Sequence, residues 1–340
     1  MFDTFTDREF ERMEVILAEL KEVEWAQRLI QHLEKNGGLV GANMDSFFEL
    51  RVGHSVHAAG ASVRYEVPGE GDSSIDFGFA SKGRSWKVEL MRLRETQAAK
   101  DATITEIDED GVTWVSQILS SANKDKKQSP EGETLKAIER ICQKCESDGK
   151  PHKFPSPSQD GLHAILVDLR TFKRGGDVHD RLHIGLGGEH VHPAYRMYWG
   201  DADKRRLISG VFSENTLMKG AAEARTRVHF IGFVHEKTFQ AGEICTAIDF
   251  VGNPYLFRGV TQVKEALATW PLQPARCINL QNFVPVRKIR VRAGVEADLT
   301  YAGMWRFRYP DGRLSDMVNL TRANDLAAIV AARASTAAAA

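Results

Sequence analysis

Two carboxylates set in apolar, strand-like runs carry the most specific chemistry in this sequence. The first run is Ser74-Ile75-Asp76-Phe77-Gly78-Phe79-Ala80 and the second is Ser85-Trp86-Lys87-Val88-Glu89-Leu90-Met91, with Ser81-Lys82-Gly83-Arg84 between them. Apolar, β-prone runs around a short Gly-containing turn predict a hairpin. Side chains alternate across a strand. Ile75, Phe77 and Phe79 then share a face with Trp86, Val88 and Leu90, and Asp76, Lys87 and Glu89 fall on the other. A charge among apolar neighbours is costly unless paired. A divalent cation between Asp76 and Glu89 removes that cost, and carboxylate oxygens are the donors that Mg2+ takes. The competing reading is two acids on the solvent side of a sheet.

Other groups have chemical spacing but weaker context. His179, His183, His190 and His192 lie among Asp177, Asp180 and Glu189, with His-x3-His and His-x-His spacings that suit a transition metal and a metal hydrolase. Gly185, Gly187 and Gly188 favour a polar surface loop there, and His-x3-His needs a helix to bring both rings to one face. Those glycines lack the third position and following helix of a dinucleotide fingerprint. Cys142 and Cys145 sit in a helical pattern with no second pair, so they read as incidental. His163 and Asp168, in an apolar strand, read as satisfied core polars. No Gly-x-Ser-x-Gly elbow is present. Lys204, Arg205 and Arg206, with Arg287, Lys288, Arg290 and Arg292, are the basic clusters suited to nucleic acid. Trp305, Phe307 and Tyr309 could stack on bases.

The elements that must position these groups follow from periodicity. An amphipathic helix is predicted from Asp7 to Lys35 and a second from Asp45 to His57. A strand over 62–67 precedes the hairpin. A polar stretch follows, with a short apolar element near 112–119, and then a helix down to Cys145. Residues 162–169 read as a strand buried on both faces, so the helix before it is a crossover. Strands at 228–234 and 247–251 bring the sheet to five or six strands. The expected division is an N-terminal helix (1–40), a core (41–275) with a loop-rich insertion around 174–225, and a small basic β-hairpin region with an Ala-rich tail (276–340). The 340 residues are 42% hydrophobic and 27% charged with a net charge of −1. That is an ordinary globular composition with no global basic field. No apolar run nears the roughly 20 residues that span a bilayer, and the first residues lack a signal-peptide pattern. A cytoplasmic protein without a membrane partner is the expectation.

Helix with a Glu, strand, strand with Asp76, strand with Glu89, helix, buried strand: this order resembles the restriction-endonuclease-like core of the PD-(D/E)XK nuclease superfamily. The resemblance covers about residues 45–170. It implies an α/β fold with a mixed central sheet flanked by helices and Mg2+ (or Mn2+) held by Asp76 and Glu89, with Glu49 as a helical third carboxylate. It further implies DNA as substrate, in defence against foreign DNA or in repair, with the terminal elements serving DNA grip or a homodimer. Where the family has a lysine two residues after the acidic one, this chain has Met91, whose thioether suits Mg2+ poorly. Lys87, on the strand face of Glu89, or Lys136, on the following helix, is the expected replacement. The alternative is a nuclease-like domain without catalysis that binds protein or nucleic acid.

Overall fold

The computed structural model describes residues 7–107, 113–117, 130–146, 153–170, 177–189, 207–214, 216–235, 248–291, 295–299, 305–308 and 314–317. The chain opens with helices α1 (Asp7–Leu20), α2 (Gln27–Lys35) and α3 (Met44–Ala58), followed by strands β1 (Ser62–Pro68), β2 (Ser74–Ser81) and β3 (Arg84–Arg92). Then come α4 (Gln97–Asp101), β4 (Thr103–Ile107), β5 (Thr113–Gln117), α5 (Pro130–Gln143) and β6 (Gly161–Asp168). After α6 (Val178–Leu186), the two-residue strands β7 (Gly188–Glu189) and β8 (Leu207–Ile208) pair with each other. The chain continues through α7 (Ala221–Arg227), β9 (Phe230–Val234), β10 (Ile248–Gly252), α8 (Val260–Ala268) and β11 (Arg276–Cys277). Strands β12 (Arg287–Val291), β13 (Val295–Leu299), β14 (Trp305–Arg308) and β15 (Leu314–Met317) close the described chain.

Alternation along the strands sorts their side chains into two cores. Phe77, Phe79, Trp86, Val88 and Leu90 pack with apolar residues of α1, α2, α3 and α8. Met91, Ile165, Val167, Ile231 and Phe233 pack with α5, α6 and α7 on the other side. Between the two cores runs a seven-stranded sheet of order β1-β2-β3-β6-β9-β10-β11. Its first three strands are antiparallel, β3, β6 and β9 are mutually parallel, and β10 runs antiparallel to β9. The parallel β3–β6 pair makes the segment containing α5 a crossover, as the buried character of residues 162–169 requires. The architecture is therefore mixed α/β, a mixed sheet flanked by helices. It has one strand more than the five or six expected, because Arg276 and Cys277 pair parallel to β10. Among the described residues no helix is long and apolar enough to cross a membrane.

Three local expectations change. Residues 7–35 form two helices, not one. Val23 is extended, residues Glu24–Ala26 make a 3-10 turn, and the Gln27 carboxamide donates to the carbonyls of Lys21 and Val23 in the link between the helices. The break turns Trp25 onto Phe77, with ring centroids 5.8 Å apart. Ile75 joins the second core and not the face of Phe77. Opposite it, the β1–β2 register passes from Tyr65↔Phe77 to Val67↔Ile75 across Glu66, whose φ of 49° is left-handed and twists the strand. The histidine segment, expected as a loop, contains helix α6, capped by Asp177 accepting the Asp180 amide.

The C-terminal strands form a separate four-stranded antiparallel meander where a hairpin was expected. Its register sets Lys288 opposite Asp298 and Arg290 opposite Glu296. Lys204, Arg205, Arg206, His190, His192, Arg292, Tyr309 and the Ala-rich tail lie outside the described residues.

Helix α3 is set against the sheet at Gly53, where an added Cβ would lie 2.5 Å from the Trp25 ring. Gly53→Ala gains about 1 kcal/mol of helix propensity but overpacks the contact at a cost of about 1–3 kcal/mol. A lower urea midpoint is expected, with a net loss of up to about 2 kcal/mol. A raised midpoint would mean that the close approach does not set the helix position.

Candidate active site

The β2–β3 ladder runs from Ser81↔Arg84 to Phe77↔Val88 and stops there. Beyond that point β3 continues along β6 as far as Arg92↔Asp168, so its other edge opens. Asp76 stands at the opening, and its Oδ2 accepts the amide of Leu90 at 2.7 Å in place of a strand partner. A carboxylate in this position satisfies a backbone donor that would otherwise be left over. The opening faces a cleft of about 520 Å³ whose walls include Glu49, Asp76, Met91, Arg92, Arg94 and Lys144.

Glu89, one strand position from the opening, is fully buried. Its Oε1 accepts from Lys144 at 2.9 Å and from Lys153 at 2.5 Å. Lys144 follows the last turn of α5, and Lys153 comes from the approach to β6. These are the lysines that meet the acidic cluster. Lys87 does lie on the strand face of Glu89, but its ammonium donates to the Pro68 carbonyl at 2.6 Å. Lys136 pairs with Glu139 on the outer side of α5. It precedes Lys144 by eight residues, about 12 Å along a helix. Met91 packs into the second core.

The electrostatics of the cleft follow from burial and like charge. Burial, then the Glu89 carboxylate, push Asp76 up to about 6 against the pull of Lys144. Burial, then Asp76, push Glu49 up to about 7, although the Tyr65 hydroxyl donates to its Oε2 at 2.8 Å. Burial acts to lower Lys144, but Glu89, Asp76 and Glu49 outweigh it, and its pKa is raised. Three carboxylates and an ammonium thus share one low-dielectric recess, the arrangement that shifts pKa values at functional sites.

Among the described residues no group of three or more His, Cys, Asp or Glu gathers closely enough to hold a metal ion. Mg2+ needs less, since it takes one or two carboxylates and keeps several waters. Asp76 and Glu89 fit that donor set. The second oxygen of Glu89, Oε2, is buried without a hydrogen-bond partner and has the acceptor capacity of a carboxylate oxygen. Glu49 lines the same cleft and is engaged by Tyr65.

The remaining described candidates lie elsewhere in the fold. His163 Nδ1 lies 2.7 Å from the Arg227 carbonyl, and His229 Nδ1 accepts the His163 amide. Asp168 meets Arg92 and the Arg170 amide. Cys142 and Cys145 are buried in the second core, where burial pushes Cys142 up to about 12 and Cys145 well above a thiol's ordinary value. His179 and His183 stand one turn apart on α6 with ring centroids 4.0 Å apart. Comparison of the chain with protein-family models, with curated proteins and with solved structures finds no match.

Glu49 links the cleft to stability. Its folded pKa of about 7 lies above the ordinary 4.5. The stability it contributes is full below about 4.5 and is lost as pH rises through about 7. Glu49→Gln escapes that loss. In metal-free buffer its stability relative to wild type should rise between pH 5 and pH 8, by up to about 3 kcal/mol at 1.36 kcal/mol per pKa unit. Parallel stability–pH curves in chemical unfolding would show that Glu49 is an ordinary surface carboxylate.

Proposed function

We propose that this chain is a Mg2+-dependent nuclease of the restriction-endonuclease-like class that hydrolyses phosphodiester bonds of DNA. The observation that carries the reading is the convergence at the opened β2–β3 ladder. Asp76, Glu49 and Lys144 line the cleft there, and Lys144 with Lys153 also pairs with the buried Glu89. The order α3, β1, β2, β3, α5, β6, with β3 and β6 parallel, supports the same class.

Asp76 and Glu89 would hold the cation, which when bound supplies an acidified water and neutralises charge on the phosphate. Lys144 and Lys153 both donate to Glu89 Oε1 and fix the carboxylate in its buried position. Lys144 also reaches the cleft wall. It takes the part of the lysine missing at Met91, steadying a phosphate oxygen or the attacking water. Glu49 has a proton affinity near neutrality, which suits a proton acceptor at pH 7. With Oε2 receiving the Tyr65 hydroxyl, Oε1 is the atom left to take the proton.

A second reading, a nuclease-like module that binds without cutting, draws on Met91 and on the two lysines already seated on Glu89. The two readings separate in a plasmid assay. Purified protein should nick or linearise DNA with Mg2+ or Mn2+ and not in EDTA. Asp76→Asn and Glu89→Gln should abolish the activity, and Lys144→Met should lower it about 10²–10³-fold. Wild-type protein that shifts DNA in a gel but never cuts it would move the assignment to the binding module.

Thermal melting gives an independent check on the cation. Mg2+ should raise the wild-type melting temperature more at pH 8 than at pH 5, because the carboxylates must lose their protons to bind. Asp76→Asn should remove the effect. An equal shift in the variant would place the cation elsewhere.

A further inference from the structure

The lip of the cleft carries a charge arrangement that the metal chemistry does not use. Arg92 ends β3 and Arg94 follows two residues later. The Asp45 carboxylate, in the first turn of α3, lies between them, with Oδ1 3.2 Å from an Arg92 nitrogen and Oδ2 3.1 Å from an Arg94 nitrogen. Arg92 is built in, 3% exposed, with its Nε 3.4 Å from the buried Asp168. Asp45 and Arg94 are 63% and 54% exposed. Arg140 of α5 reaches the same place, donating to the Arg94 carbonyl.

A guanidinium held by a buried carboxylate, beside a second on a solvent-facing stem, matches the oxygens of a phosphate. The bridging carboxylate is itself exposed, and its pair with Arg94 joins two exposed groups, the kind of contact worth little in water. Asp45 also stands four residues before Glu49 on α3, about 6 Å along the helix. The pair of arginines lines the same cleft as Glu49 and Asp76.

We propose that Arg92 and Arg94 form a second phosphate subsite of the cleft, taking the backbone phosphate adjacent to the one acted on, and that Asp45 occupies this subsite until DNA displaces it. The inference rests on the cleft being where DNA lies. Asp45 then acts as a built-in competitor. It stops two guanidinium groups from repelling each other in the free protein and weakens the hold on short or stray anions that cannot also reach the acidic centre.

Binding of a fluorescein-labelled DNA duplex, read by anisotropy in EDTA so that no cleavage occurs, tests this directly. Asp45→Asn should tighten binding about three- to tenfold, the range that two weak ion pairs span. Glu139→Gln removes the same charge from α5 away from the arginines and should change binding by less than about twofold at physiological salt. Arg94→Gln should weaken binding and reduce the salt slope by about one. In the Arg94→Gln background the gain from Asp45→Asn should shrink, as a double-mutant cycle reads. A gain no larger than that of Glu139→Gln, or one undiminished without Arg94, overturns the subsite. That failure would leave Mg2+-dependent plasmid cleavage by wild type untouched. Absent cleavage with the Asp45 effect intact would sink the nuclease reading and keep the subsite.

Discussion

The buried charge of Glu89 is the constraint on which the site depends. Taking a carboxylate wholly out of water costs several kcal/mol even after the protein relaxes, and here it is met by two ammonium groups on one oxygen. Those partners come from the segment that joins α5 to β6, Lys144 at its start and Lys153 farther along it. The crossover must therefore be laid over β3 in one register for the charge to be tolerated at all. The same register seats Met91, Ile165 and Val167 against α5 and α6. Hydrophobic packing and ion pairing thus specify one arrangement. Replacing a buried ion pair by apolar residues of similar volume is often neutral or stabilising, so packing alone does not require the trio.

The second oxygen of Glu89 and the raised proton affinities of Asp76 and Glu49 belong to the same balance. Two lysines compensate the innermost acid. Beside it, Asp76 and Glu49 face Lys144 in the same recess, and both bind their protons more tightly than ordinary carboxylates. A recess in that condition is receptive to a small hard cation. Arg92, Arg94 and Arg140 line the same cleft.

The hairpin, its faces and the crossover were legible because each rests on short-range alternation and on the length and apolarity of single runs. Asp76 and Glu89 were legible for the same reason. The lysines were not. Lys144 sits between Cys142 and Cys145, where the cysteine spacing draws the eye, and Lys153 follows Pro151 in a stretch with no period at all. Both reach Glu89 across more than fifty residues of chain, a separation at which sequence pattern carries no information. The one available signal was indirect, a buried strand acid without a neighbouring cation. The break at Val23 and the left-handed Glu66 were hidden as well, since tertiary contacts of Trp25 and a local side-chain cap decide them. The helix over 178–186 did leave a trace in Asp177 and Asp180, an N-cap spacing overruled in the reading by the glycines that follow it.

The parallel pairing of β3 with β6 has a consequence in time as well as in space. Parallel strands cannot pair until the whole crossover between them has been ordered, and such long-range closures are slow steps in folding. The hairpin of β2 and β3 closes locally and early, exposing its two acids to water as ordinary, separately hydrated groups. Only when the crossover docks do Lys144 and Lys153 arrive, Glu89 lose its water and the recess take its shape. A partly made or partly unfolded chain therefore has the acids without the recess that gathers them.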